Sequence, residues 1–208
     1  MRTIQRNTPP ACLEQQPKNQ LWDEFIGSQC HIALHAGLRH EQQSLCCYCE
    51  HQIEGGDWHV EHLEPRSKNQ DHTYDYANLA LSCNGGNAKH CGHYKDNRQR
   101  NPDYEWNPAH FSSPHDPVTS SLFSYLLDGS ISPTTVNKEK SAYMIGYLGL
   151  DCSRLIERRH QHARDLIDTL GEEPAPDIVT WLRKKYLQPD TNGRVQQFYS
   201  LSKAILEP

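Results

Sequence analysis

A chain of 208 residues can bury a core of its own, yet only 36% of it is hydrophobic and its mean hydropathy is -0.83; a small core beneath much exposed surface is expected. No run of 18 apolar residues occurs, which excludes a membrane-spanning helix, and Met1-Arg2-Thr3-Ile4-Gln5-Arg6 lacks the apolar stretch of a secretory signal, so a cytoplasmic location is expected. A net charge of -5 and a pI near 6.2 argue against a stand-alone nucleic-acid-binding protein, leaving room for a nuclease with a local basic groove or one fed by a partner subunit.

Residues 1–18 are polar and carry Pro9, Pro10 and Pro17, which reads as an extended arm. Asn19 is placed to cap a helix through Trp22, Phe25 and Ile26, and a second helical pattern runs through Ile32, Leu34, Leu38 and Leu45 to a cysteine pair. Residues 46–57 look like a knuckle turn closed by Gly55-Gly56-Asp57. A short strand over 58–63 is ended by Pro65, a polar loop covers 66–75, and 76–81 reads as a short strand or turn. After Asn84-Gly85-Gly86-Asn87, a helix is expected over 90–98.

Beyond Asn107-Pro108 the character changes. Residues 122–127 are strand-like, with Asp128-Gly129 as a hairpin turn. Helices are expected over 138–148, 153–170 (Asp151 as cap, Gly171 as stop), 177–186 and 195–206. The organisation read from this is an arm with helices (1–45), a compact motif-bearing core (46–108) and a helical region (109–208) that wraps the core or docks a partner.

Of eight cysteines, Cys12, Cys30 and Cys152 are scattered singly, while Cys46-x-x-Cys49, Cys83 and Cys91 frame a histidine-rich stretch. Without a signal peptide the thiols are expected to be reduced, and four of them suffice for a closed tetrahedral zinc site, with Cys47 and His90 as possible substitutes. The competing reading is four ordinary buried thiols, or a redox pair at Cys46 and Cys49.

Inside that frame lies Trp58-His59-Val60-Glu61-His62-Leu63-Glu64-Pro65. Hydrolysis of a phosphodiester needs a base for the attacking water and a cation for the leaving oxygen. His62 titrates near neutrality, as a base should, and Glu61 offers hard oxygen to Mg2+ or Mn2+. Neighbours on a regular strand face opposite ways, so a shared site is expected to need a break at Glu61-His62. If the strand stays regular, His59 and Glu61 share a face, with His59 a second ligand or a supporting residue. Asn78 can brace the loop that carries the base. Lys95, Arg98 and Arg100, running on to Tyr104 and Trp106, interleave charge with aromatics, either as phosphate and base contacts or as an ordinary solvated helix end. Arg154, Arg158, Arg159, His162 and Arg164 load part of the 153–170 helix, as a solvated face or else as a partner or nucleic-acid surface.

The order of cysteine pair, Glu-His with a following Pro, Asn-Leu-x-Leu-x-Cys and a Cys-to-Lys helix resembles the HNH endonucleases of the ββα-metal fold. More narrowly, Cys46-Cys47-Tyr48-Cys49-Glu50, His59-Val60-Glu61-His62-Leu63-Glu64-Pro65 and His90-Cys91-Gly92-His93-Tyr94-Lys95 resemble the PtuB nuclease subunits of Septu anti-phage systems, whose relatives accompany some retrons. The resemblance is specific over residues 46–98, about a quarter of the chain.

It implies an α+β fold, a small zinc-buttressed ββα-metal core embedded in a mainly α-helical chain. It also implies His62 as general base, Glu61 as ligand of a catalytic Mg2+ or Mn2+, Asn78 as the bracing residue and Zn2+ at the four cysteines. The family's helix ligand is a His or Asn directly after the last cysteine, where this chain has Gly92. His93 is the first alternative and Asn87 the second. Implied partners are an SMC/ABC-like ATPase of the PtuA type, a DNA or tRNA substrate, and a retron reverse transcriptase with its RNA–DNA hybrid. Two other classes stay open: a catalytically silent zinc adaptor, and a thiol redox protein at Cys46 and Cys49.

Overall fold

The computed structural model describes residues 1–17 and 20–207; the expected cap at Asn19 lies outside them. The fold mixes helices with two small sheets. After a single turn α1 (Ala11–Glu14) and another, α2 (Trp22–Phe25), the first long helix is α3 (Gln29–Glu41). Ser28 caps α3 by accepting from the His31 amide at 3.1 Å. Cys30, Leu34 and Leu38, four apart, form its buried stripe.

α3 stops short of Leu45, where the apolar spacing carried it. Gln43 and Ser44 adopt positive φ (51° and 63°), which turns the chain. Leu45 instead pairs with Gln52 in an isolated antiparallel bridge that closes the loop holding Cys46 and Cys49. That turn also frees Gln42 to face inward. Its amide nitrogen donates to Leu45 O and Leu81 O (2.8 Å each), while its oxygen accepts from Leu81 N at 2.6 Å. A buried glutamine thus satisfies backbone groups that no third strand reaches.

β1 (Trp58–His62) pairs antiparallel with β2 (Leu79–Cys83), in register from Trp58↔Cys83 to His62↔Leu79. β2 is buried along its whole length and packs against α3. The chain then makes a kinked turn α4 (Gly85–Ala88) and a single turn α5 (Gly92–Lys95), where a longer helix was expected. A separate hairpin, β3 (Phe123–Tyr125) with β4 (Ile131–Pro133), turns at Gly129 (φ 83°), with Asp128 Oδ1 accepting from Ser130 N. α6 (Lys138–Tyr147), α7 (Ser153–Leu170), α8 (Pro176–Leu187) and α9 (Tyr199–Leu206) complete the chain. Asp151 does not cap α7, because the helix starts from Cys152. α9 begins later than its apolar pattern because Phe198 takes a left-handed conformation.

The first residues are no polar arm. Met1, Ile4 and Leu13 are buried in the main core, Ile4 N donates to Pro114 O at 2.9 Å, and Arg6 pairs with Glu41 at 3.0 Å. Three apolar residues so widely spaced leave no period to read. Cys12 and Cys30, expected as unpaired thiols, form a disulfide that ties α1 to α3. The main core runs from Met1 to Leu155, and two smaller clusters lie under α7, α8 and α9. No helix among the described residues is long and apolar enough to cross a membrane.

Candidate active site

Cys46 and Cys49 come from the loop after α3, Cys83 from the end of β2 and Cys91 from the residue before α5. All four are buried, and their sulfurs lie within 4.8 Å of one another. Cys46–Cys91 and Cys49–Cys83 are 3.8 and 3.6 Å apart. Four thiolates about 2.3 Å from a tetrahedral zinc would be about 3.8 Å from each other, so the set fits that ion. Burial alone would raise the Cys46 thiol. Hydrogen bonds from Cys47, Cys49, Cys83 and Cys91 outweigh it and hold that thiol well below its ordinary value. Cys49 is pushed up by hydrogen bonding with Cys46 and Cys83, and Cys91 by burial and its thiol neighbours. Cys47 is buried outside the set. His90 Nδ1 lies 3.1 Å from Cys91 Sγ, beside the set rather than in it.

The strand break expected at Glu61-His62 does not occur; pairing is regular through His62. His59 and Glu61 therefore share a face, and His59 Nε2 sits 3.0 Å from Glu61 Oε2. His62, the last residue of this two-stranded ribbon, still lines the same cleft of about 290 Å3. Trp22, Arg66, His93 and Asp96 line it too.

Glu61 is 2% exposed. Burial would raise its carboxyl, but the Lys95 charge and the His59 hydrogen bond bring it down to about 2. Its Oε1 accepts from Tyr48 OH at 3.0 Å and faces Lys95 Nζ at 3.0 Å. His59 Nδ1 meets Asn84 Oδ1 at 2.9 Å.

His62 Nε2 lies 3.0 Å from Thr73 O. A carbonyl only accepts, so Nε2 carries the proton and Nδ1 of the neutral ring is left with its lone pair. Burial, the largest effect, pushes this imidazole down to about 4, so it is neutral at pH 7. The Trp22 indole meets it edge-on at 4.4 Å. Asn78 spans the loop that brings Thr73 there: its Oδ1 accepts from Glu64 N at 2.7 Å, and its Nδ2 donates to Glu64 O and His72 O at 3.2 and 3.1 Å.

The helix-ligand candidates separate. His93 reaches the cleft, but its ring stacks flat on His59 with centroids 3.9 Å apart. Asn87 is exposed in a left-handed turn, away from the cleft, with Arg100 donating to its carbonyl. Lys95, expected as a phosphate contact, is instead 2% exposed. Its ammonium is held by Glu61 and Asp96, so burial and pairing remove it from the surface. Arg98 and Arg100 remain exposed. Arg98 bonds Glu105 at 2.7 Å beside a pocket walled by Tyr104, Trp106 and Tyr147.

Four contributors escape the sequence pattern: Tyr48, Thr73, Asn84 and Trp22. Tyr48 and Asn84 had a usable signal, since each directly adjoins a zinc-ligand candidate. Thr73 contributes only a backbone carbonyl, which no residue type advertises. Among the described residues, the thiols alone gather three or more ligand atoms this closely.

No family model matches the chain. Over 133 residues it is 31% identical to a protein of Vibrio cholerae serotype O1 biovar El Tor provisionally named the HNH endonuclease of retron Vc95. The aligned stretch is 59% of this chain and spans 60% of the relative's length.

Proposed function

We propose that this chain is a metal-dependent HNH endonuclease that hydrolyses nucleic-acid phosphodiester bonds within an anti-phage defence complex. The observation that carries this reading is His62, held through Nε2 on the Thr73 carbonyl beside the buried Glu61 carboxylate. The provisional name of the retron Vc95 relative supports it independently.

His62 Nδ1 takes the proton of the attacking water, and the depressed pKa keeps that nitrogen free at neutral pH. Thr73 fixes the tautomer, while Asn78 holds the loop that presents Thr73. Glu61 would hold a divalent cation, Mg2+ or Mn2+, which would supply charge stabilisation to the phosphate. Zinc held by the four thiols would fix β2 and α5 around this cleft, the arrangement expected of a ββα-metal core. Arg98 and Arg100 are the outward cations for the backbone of the substrate, DNA or tRNA.

By resemblance to PtuB of Septu systems, the working complex contains an SMC/ABC-like ATPase that gates cleavage. By resemblance to retron-associated relatives, it includes a reverse transcriptase with its RNA–DNA hybrid. A silent zinc adaptor is the second reading, favoured by the Lys95 ammonium already resting on Glu61.

His62→Ala decides between them. Expressed with its genomic neighbours, the variant should keep its zinc and melt as a folded protein, yet lose phage protection and nucleic-acid cleavage by at least 100-fold. Undiminished cleavage or protection in that folded variant would overturn the catalytic reading.

A further inference from the structure

The geometry points to His59, on strand β1, as the second ligand of the divalent cation, in the place that Gly92 leaves open on the helix. It rests on the nuclease reading only for what the cation is used for.

Asn84 Oδ1 can only accept, so at 2.9 Å the His59 Nδ1 is protonated. Nε2 faces a second acceptor, Glu61 Oε2, at 3.0 Å, so the metal-free ring carries a proton on each nitrogen. A divalent cation at Nε2 and Oε2 would take the place of that bridging proton. Cis ligands about 2.1 Å from an octahedral divalent ion are themselves about 3.0 Å apart, so this pair already has the required bite.

The other Glu61 oxygen is taken by Tyr48 and Lys95, which leaves Oε2 for the cation. Charge points the same way. With the proton bridging His59 and Glu61 displaced, Glu61 and Asp96 against Lys95 leave one negative charge, while Asp23 and Arg66 on the cleft rim cancel. A divalent ion turns that into a single positive charge, matched to one phosphodiester.

Gly92 explains why the strand supplies this ligand. A Cβ at 92 would sit 2.1 Å from Glu61 Oε2 and 2.6 Å from His59 Nε2. The two side chains occupy the volume into which a residue-92 side chain would project. His93, stacked on the His59 ring, positions that imidazole. An imidazole donor beside a carboxylate suits Mn2+ better than Mg2+, which prefers oxygen throughout.

The test titrates the full-length, zinc-loaded protein with MnCl2 and records the electron spin-echo spectrum of the bound ion. One Mn2+ per chain should bind beyond the zinc, with a histidine-nitrogen coupling in the wild type. His59→Ala should weaken binding at least tenfold and abolish the coupling. His93→Ala should stay within threefold and keep it. Gly92→Ala should weaken binding, because its methyl strikes Glu61. A wild-type spectrum without nitrogen coupling overturns the assignment without needing any variant to fold. So does a coupling that survives His59→Ala or vanishes in His93→Ala. Mn2+ bound through His59 in a protein that cuts no nucleic acid would sink the nuclease reading and leave this site standing. Cleavage by a protein whose Mn2+ ignores His59 would do the reverse.

Discussion

His115 shows at single-residue scale how burial sets acid sensitivity in this chain. Its ring lies under the N-terminal segment, with Nε2 3.4 Å from Leu79 O and Nδ1 without a partner. Burial first, and then the nearby Arg6 charge, push the imidazole from 6.5 down to about 4. Between those values the unfolded chain binds the proton and the folded chain does not. The stability contribution is therefore complete above pH 6.5 and falls as pH drops towards 4. His115→Leu should flatten the melting temperature between pH 7 and pH 4.5 relative to the wild type. Thermal melts across that range check it, and parallel curves would show that the ring does not titrate differently on folding. Nothing in Ser113-Pro114-His115 announces this burial, because the segment covering the ring, Met1 to Arg6, has no readable apolar period. Glu61 and His62 were legible because their residue types match a chemistry. Their partners were not: Thr73 acts through a carbonyl, and Tyr48 and Lys95 through distance alone.

At the scale of elements, legibility follows length. α6 and α7 lie close to where their apolar spacing put them, since long amphipathic helices declare a period. α2 and α5 are single turns that cannot stand alone, because a helix nucleus is costly, and tertiary packing decides where each ends. α6 also carries a constraint that its sequence hides. Gly146 sits in the last turn of α6, inside the helix, where glycine is a cost relative to alanine, and a Cβ there would lie 2.0 Å from Tyr104 Oη. The close approach lets Tyr104 pack on α6 and, with Trp106 and Tyr147, form the aromatic wall beside Lys95 and Arg98. Gly146→Ala should gain helix propensity but lose more to overpacking, a net cost of about 1–3 kcal/mol. That corresponds to a fall in melting temperature of roughly 3–10 °C for a chain of this size. Differential scanning calorimetry checks it, and a variant as stable as the wild type would mean that Tyr104 moves freely.

Across the whole molecule, the motif-bearing stretch and its surroundings share structure rather than merely touching. The sequence suggests a compact unit over 46–108, since all the metal-ligand and base candidates fall there. The backbone of its last thiol ligand is nevertheless completed from outside, with Cys91 N donating to Leu148 O at 2.8 Å. Asn101 donates to Tyr147 O at 3.0 Å. Glu50, beside the first thiol pair, accepts from Ser200 N and Ser200 Oγ at 2.8 and 2.6 Å, and its own carbonyl accepts from Phe198 N. On the opposite flank Arg6 bonds the carbonyl of Leu79 at 2.6 Å and that of Tyr76. Removing these leaves buried polar groups unpaired at about 1–3 kcal/mol each, comparable in sum to the whole stability of a small domain. Residues 46–108 expressed alone with zinc should therefore fail to give a dispersed amide spectrum, whereas the full chain gives one. Zinc binding by four thiols in the fragment is compatible with that outcome, because ligation alone can order a loop. A well-dispersed spectrum from the fragment would show that the metal frame suffices, and that the flanking segments serve partners rather than the fold.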